Sequence, residues 1–342
     1  MRLPPFAYDR PRDLYEALEL LNSYGKDCKV LAGGTDLLVR MKQGLVAPTH
    51  LVSLKALSEL AEIKETGDGL QIGAAVKLSD ILAYQPVQDH WPGLFEAVKA
   101  IGAPSIQHFS GTIGGNLCQD NRCQFYDQSK FFRAARQTCN KAGGSTCFAW
   151  KGGSDKCHSA CQSDSAPILI AMDAKVVIKS KNETRTMPLE ELYSSVGERP
   201  LTLADNEMLT EILVPAPTPG AGTAFEKLAY RSSIDYAMVS AGAFVQTEGG
   251  RTTRVRLVIG AVARGPLSIA TVEKTLKNRP AGDQQAINEV AIDAMNTAAA
   301  FIANNMTQPV EYRTKMVSVI AKRALTRAAE RAISQKGFLE AK

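Results

Sequence analysis

The sequence predicts an α+β protein built in two parts, and three features predict it. Near the N-terminus a short apolar strand runs into a double-glycine turn and then a helix. A segment rich in Pro, Gly and Ala, LVPAPTPGAGTA (213–224), reads as a linker. Beyond it, three strand-like runs precede helical patterns, the order of an α+β domain with a three-stranded sheet backed by helices. A chain of 342 residues is long enough for two or three domains with hydrophobic cores of their own.

In chain order, residues 12–24 place Leu14, Ala17, Leu18 and Leu21 on one helical face. Pro11 suits the first turn of that helix and Gly25 its C-terminal stop. Lys29-Val30-Leu31-Ala32 reads as a strand, Gly33-Gly34-Thr35-Asp36 as a turn, LLVRMKQ as a helix, and His50 to Leu54 as a second strand. Residues 70–117 read as further strand and helix, with His108 in a strand-like run, and end in Ser110-Gly111-Thr112-Ile113-Gly114-Gly115-Asn116. Residues 119–160 break the pattern: they are rich in Cys, Gly, Lys and Gln and poor in aliphatic residues. Such an insertion cannot bury itself without a staple. Apolar structure resumes at 166–171. The strand-like runs after the linker lie near 224–230, 237–246 and 253–262, and the last helix covers 310–334. The expected domains are 1–216, in subdomains of about 1–55 and 56–216, and 222–335.

Composition removes several function classes. Hydrophobic residues are 45% and charged residues 22%, ordinary values for a soluble globular chain. A net charge of +5 spread along the chain leaves no dense basic run, so no nucleic-acid partner is expected. No apolar run approaches the ~20 residues of a membrane span. The opening MRLPPFAYDRPRDLYEALELL has neither the apolar core nor the cleavage site of a signal peptide, so a cytoplasmic location is expected.

Two kinds of residue carry chemistry. Glycine lets backbone N–H groups approach a phosphate, and a helix start adds positive dipole. Two such turns on separate segments are able to grip a pyrophosphate from both sides. Neither turn is a GxGxxG or a GxxxxGK[ST], and each read singly is an ordinary tight turn. The second kind is cysteine. Of seven, six lie between Cys118 and Cys161, and Cys28 stands apart. The spacing matches neither paired zinc-finger thiols nor a compact ferredoxin run. Four dispersed thiolates around one cluster fit better, with zinc second and disulfides third. His158 adjoins Cys157 as a possible further ligand. A lysine at Lys227, in a strand–loop–strand pattern, is placed to point into a cleft between domains. No Ser/His/Asp order or zinc-protease motif stands out.

Together these residues resemble the FAD-binding subunits of the xanthine dehydrogenase and carbon monoxide dehydrogenase group. The resemblance runs from Phe6-Ala7-Tyr8 through Leu31 to Asp36, Thr112 to Asn116, Asp164 and Glu211 to Pro215. It continues through Lys227, Asp235, Gly260 to Ala263 and Glu311-Tyr312-Arg313. It implies a two-subdomain FAD domain of the PCMH type, with a C-terminal domain closing over the flavin. It also implies that Leu31, Ala32, Gly33, Gly34, Thr35, Asp36, Thr112, Gly114, Gly115 and Asn116 line the FAD pyrophosphate. Asp164 is implied near the ribityl and phosphate part, with Leu209 and Lys227 close to the isoalloxazine ring.

One departure matters. Asn116 and Asp164 stand 48 positions apart where most of the family has a short loop. The insertion resembles that of the 4-hydroxybenzoyl-CoA reductase β subunit. By that resemblance Cys123, Cys139, Cys147 and Cys157 hold a 4Fe–4S cluster, with Cys118 and Cys161 as non-ligands. Implied partners are a molybdenum-cofactor subunit and a 2Fe–2S subunit, as a dimer of heterotrimers, with ferredoxin as donor. The implied reaction is reductive dehydroxylation of an aromatic CoA thioester, the alternative being oxidative hydroxylation with electrons leaving through the flavin. A different class of protein, a zinc-stabilised interaction module with purely structural glycine turns, is the rival reading.

Overall fold

Three sheets carry the chain of this computed structural model, which describes residues 2–334. Positions 1 and 335, the outer ends expected for the two domains, lie outside the described residues.

The first sheet is parallel and small. Its strands are β1 (Ala7–Asp9), β2 (Cys28–Leu31) and β3 (His50–Ser53), in the order β1-β3-β2. Helix α1 (Leu14–Tyr24) buries Ala17, Leu18 and Leu21 against it, the face expected from the spacing. Its cap is Asp13, whose carboxylate accepts from Glu16 N at 2.8 Å and so satisfies one of the free amides of the first turn. Parallel strands need a crossover, and between β2 and β3 that crossover is the glycine turn and α2 (Leu37–Lys42).

The second sheet is antiparallel, in the order β4-β5-β8-β6-β7: β4 (Ile63–Thr66), β5 (Gly69–Gly73), β6 (Lys175–Lys179), β7 (Thr184–Pro188) and β8 (Met208–Pro215). Six helices lie between β5 and β6: α3 (Leu78–Ala83), α4 (Gln85–His90), α5 (Pro92–Lys99), α6 (Ile113–Leu117), α7 (Lys130–Ala134) and α8 (Ser165–Ala171). α8 is buried along its whole length. The strand-like reading of the run around His108 is corrected: Pro104–His108 forms a helical turn. His108 N closes it on Ala103 O at 3.2 Å, the Gln107 side-chain carbonyl accepts from Ala103 N at 2.9 Å, and Ile106 is left exposed.

The third sheet is also antiparallel. Its long strands are β9 (Ala221–Leu228), β10 (Val239–Glu248) and β11 (Arg251–Gly260). A two-residue edge strand, β12 (Leu267–Ser268), adds to the three expected. Behind the sheet lie α9 (Thr271–Leu276), α10 (Gln284–Ala299) and α11 (Val310–Ser334). The connection from β8 is only 216–220, shorter than the linker expected, because Leu213 to Pro215 still pair in the second sheet.

The second and third layers meet tightly. Gly242 on β10 lies against α8, where a Cβ would fall 2.5 Å from Ile168 N. Glu96 on α5 pairs with both Arg327 and Arg331 of α11.

Candidate cofactor site

The two glycine turns meet backbone to backbone. A Cβ on Gly33 would overlap Ser110 O, so the first turn packs directly on the residue that opens the second. Gly34 has φ +72°, a conformation that side chains other than glycine disfavour. In the second turn Thr112 caps α6, its Oγ1 accepting from Gly115 N at 3.1 Å. Asn116 Oδ1 accepts from the hydroxyls of Ser163 at 2.8 Å and Ser165 at 2.6 Å. These bonds tie the second turn to the start of α8.

Both turns border a cavity of about 660 Å³. Ala32 to Asp36, Thr112, Gly114 to Asn116, Asp164 and Leu209 all line it. Leu31 and Lys227 do not. Leu31 packs behind Gly34, its Cδ1 3.3 Å from where a Cβ of Gly34 would lie. Lys227 reaches across from β9 and donates to Asp164 Oδ2 at 2.7 Å, Ala100 O at 2.8 Å and Asp235 O at 2.9 Å. All three ammonium hydrogens are thus engaged, and the lysine acts on the cavity through Asp164 and the 235 turn. Burial pushes the Asp164 carboxyl up from its ordinary value, and Lys227 opposes that rise.

Sequence reasoning missed other lining residues. Arg40 and Gln162 both line the cavity, and Arg40 Nε and Gln162 Oε1 are buried without a protein partner. Arg40 sits in the helix after the first turn, where nothing in the sequence separates it from a solvated charge. The 198–207 loop and the 234–236 turn arrive only through the tertiary fold.

The cysteine-rich insertion is fastened to this cavity by charge. Arg122 pairs with Asp36 of the first glycine turn and with Asp127. Asp120 pairs with Arg40 and with Lys141, the latter at 2.8 Å. Burial works against the Asp120 charge, yet Lys141 and Arg40 outweigh it and hold the carboxyl below its usual range. The insertion also docks on the C-terminal domain, where Gln124 N donates to Asn305 O at 2.8 Å.

All seven cysteines are free. Cys123, Cys139, Cys147 and Cys157 line one small cavity of about 10 Å³, so the four thiols expected to act together do converge. Cys118 and Cys161 lie apart from it, Cys118 on the wall of the large cavity. His158 does not line the thiol cavity either; it stacks on Trp150 with ring centroids 4.1 Å apart. Among the described residues no three His, Cys, Asp or Glu side chains close to the spacing of a single-ion site. Burial pushes the Cys123 thiol up to about 12. A thiol so placed is inert until a metal displaces its proton.

Residues 4–217 match the family described as FAD binding domain in molybdopterin dehydrogenase, and residues 224–328 match the CO dehydrogenase flavoprotein C-terminal domain. The chain belongs to this molybdopterin dehydrogenase flavoprotein family. It is similar to the carbon monoxide dehydrogenase medium chain of Hydrogenophaga pseudoflava, 29% identical over 95% of this chain and 97% of that one. It is also similar to the Escherichia coli aldehyde oxidoreductase FAD-binding subunit, 32% identical over 79% of this chain and 86% of the relative. Among solved structures, the Hydrogenophaga pseudoflava carbon monoxide dehydrogenase superposes with a TM-score of 0.76 at 28% identity, covering 97% of this chain and 99% of that one.

The residues of this flavoprotein chain fit the group its family binds. The exposed Gly115 has nothing but Thr112 Oγ1 within 4 Å of a Cβ position, so its backbone is open to the cavity. Arg40 also lines the cavity, and its Nε is buried without a protein partner. No described helix is long and apolar enough to cross a membrane.

Proposed function

We propose that this chain is the FAD-carrying electron-transfer subunit of a molybdenum hydroxylase complex that oxidises its substrate on another subunit. The observation that carries the reading is the meeting of two glycine turns on the wall of one large cavity. In this reading Ala32 to Asp36 and Thr112 to Asn116 approach the pyrophosphate through their backbones. Asp164, held by Lys227, faces the ribityl part, and Leu209 lies against the ring. Arg122 neutralises Asp36, so the carboxylate does not repel the phosphates. FAD supplies the exchange of electrons in pairs or singly. An oxidative direction is supported by the relatives, which are named carbon monoxide dehydrogenase, aldehyde oxidoreductase and xanthine dehydrogenase. The partners are a molybdenum-cofactor subunit and a 2Fe–2S subunit, in a dimer of heterotrimers. Purification of the chain with its neighbours tests this: FAD at one per chain and co-elution of two further subunits are expected. A colourless monomer that turns over substrate unaided would refute it.

A second reading is favoured by the four-thiol cavity. Here Cys123, Cys139, Cys147 and Cys157 hold a 4Fe–4S cluster, and the complex works reductively on an aromatic CoA thioester in the manner of 4-hydroxybenzoyl-CoA reductase, with ferredoxin as donor. The donor set is right for such a cluster. The space between the thiols is about 10 Å³, room for about one water, so a cluster enters only as the loop spreads. Such spreading would have to open the insertion's own apolar cluster, which packs Tyr126, Ala149, Phe125 and Trp150 around the thiols. Iron and acid-labile sulfide analysis is the test. Iron near four per chain, lost in Cys139→Ser while FAD stays, is expected. Zinc in its place would sink the cluster.

A further inference from the structure

Arg122 touches three parts of the molecule at once. Its backbone pairs with Ala160 at the far end of the insertion: Arg122 N donates to Ala160 O at 2.8 Å, and Ala160 N to Arg122 O at 2.9 Å. Its guanidinium pairs with Asp36 of the first glycine turn and reaches Asp127 Oδ1 at 3.2 Å. The same guanidinium stands over the ring of Tyr236 in the C-terminal domain, Cζ 5.1 Å from the centroid. Neighbours of Arg122 are tied to that domain too. Asn121 Nδ2 donates to Arg264 O at 2.7 Å, and Gln124 N to Asn305 O at 2.8 Å. The insertion thus runs as a strap between the two domains, and Arg122 is a point where it meets both.

Asp36 and Tyr236 both line the large cavity, and Tyr236 is 44% exposed, so its ring stands at the cavity's edge. The turn that carries it is strained. Ile234 has φ +57°, a conformation that a β-branched residue adopts only under constraint. Three bonds supply part of that constraint. Ile234 N donates to Gly102 O at 2.9 Å, Arg231 Nη2 to Ile234 O at 2.8 Å, and Lys227 Nζ to Asp235 O at 2.9 Å. The stack of Arg122 on Tyr236 adds a restraint that comes from the insertion.

We propose that Arg122 and Tyr236 form a clasp that holds the 234–236 turn closed over the bound FAD, so that release of the cofactor requires the pair to part. The proposal rests on the FAD reading above and gives the insertion a task independent of its thiols. Arg122 is a positioning residue: it acts through Tyr236 and Asp36 and needs no contact with the cofactor. A cation over an aromatic face is held by the ring's quadrupole, the more strongly where water is kept away. The Arg122 side chain is 13% exposed, so the pair is largely shielded. A flat guanidinium stacks on a ring as a compact ammonium does not, which makes arginine the residue for this task.

The experiment follows release of FAD from the full chain by the rise in flavin fluorescence after dilution. Tyr236→Leu, which removes the ring and keeps apolar bulk, should release FAD about tenfold faster, the size expected of a cation–π pair mostly shielded from water. Tyr236→Phe keeps the ring and should release within about twofold of the unaltered rate. Arg122→Lys keeps a charge beside Asp36 and loses the flat face, so it should release faster, as the leucine variant does. Hydrogen exchange on the cofactor-free chain reads the clasp without FAD. Exchange at the Ile234 amide should quicken in Tyr236→Leu and Arg122→Lys and stay unchanged in Tyr236→Phe. If the leucine variant fails to fold, Tyr236→Met takes its place under the same criterion. Release at the unaltered rate from both Tyr236→Leu and Arg122→Lys overturns the clasp and leaves the FAD reading standing. Acceleration in only one of the two also overturns it, since that residue would then be acting alone. An unaltered chain that binds no FAD overturns the reading the clasp rests on, and the clasp with it.

Discussion

Lys227 on β9 places its Nζ 2.7 Å from Asp164 Oδ2 at the start of α8, across the joint between the C-terminal domain and the glycine-turn domain. Both side chains are nearly withdrawn from water, at 11% and 7% exposed. Removing one partner of such a pair leaves a buried charge alone, at a cost of about 3–5 kcal/mol. Lys227→Met should therefore lower the unfolding free energy by about that amount, read by denaturant titration.

The pH dependence of that defect has a defined sign. Burial already raises the Asp164 carboxyl above its ordinary 3.8, and loss of the lysine raises it further. The folded state then holds a proton more tightly than the unfolded one, so stability falls as pH rises through the window above the ordinary value. The Lys227→Met variant should sit closest to the unaltered protein at acidic pH and furthest near neutrality. Adding Asp164→Asn should restore part of the loss at neutral pH. A pH-independent deficit would show that the lost stability comes from packing and not from the stranded charge.

The two turns predict different failures. Gly33→Ala drives a methyl into Ser110 O, so it should separate the turns and cost both stability and FAD. Gly115 is exposed and meets only Thr112 Oγ1 at 3.0 Å. Gly115→Val should leave the thermal midpoint within a few degrees while blocking backbone approach to the pyrophosphate. Cofactor extraction and the flavin spectrum distinguish them. Full FAD occupancy in Gly115→Val would remove the second turn from the site.

Arg122 ties the insertion to the first glycine turn. With Arg122→Met, Asp36 and Asp127 lose their paired cation, and Asp36 is left with only Arg40 to offset its charge beside the phosphates. FAD should bind at least about tenfold more weakly, as about 1.4 kcal/mol of repulsion suffices for that. Residues 119–160 should also become easier to cleave in limited proteolysis. Fluorescence titration of the apoprotein with FAD measures the first effect, and unchanged affinity would refute the coupling.

Arg313 is wholly buried, and its guanidinium donates to Ala261 O at 2.7 Å, Asn305 Oδ1 at 2.8 Å, Ala303 O at 3.0 Å and Met238 O at 3.2 Å. Burial lowers its pKa to about 10, still well above neutrality, so it stays charged. Arg313→Met leaves those acceptors unmatched, each worth about 1–3 kcal/mol. A loss of several degrees in thermal midpoint is expected, together with loosening of Asn305 and of the insertion that docks on it.

What the sequence by itself determined is local. Helix α1 announced itself through the spacing of Ala17, Leu18 and Leu21, and α11 through a long stretch with the same period. The first glycine turn was legible because a strand, two glycines and a helix follow one another along the chain. The insertion was legible because it lacks the aliphatic residues that every other segment has. Of the site residues the family resemblance marked, all but Leu31 and Lys227 line the large cavity.

Only the tertiary structure decided which distant groups meet. Asp36 and Arg122 are 86 positions apart, Asp164 and Lys227 are 63 apart, and no periodicity relates either pair. The turn at Pro104–His108 escaped because five residues are too few to show a helical period, and the bond from the Gln107 side chain that supports it is not written in the spacing. Arg40 escaped because a charge on a short helix reads as solvated until a neighbouring segment buries it. Apolar spacing is enforced by each segment's need to hide one face from water, so it is written along the chain. The partner of a buried charge is chosen by where the folded backbone brings an opposite charge, so it is written only in the fold.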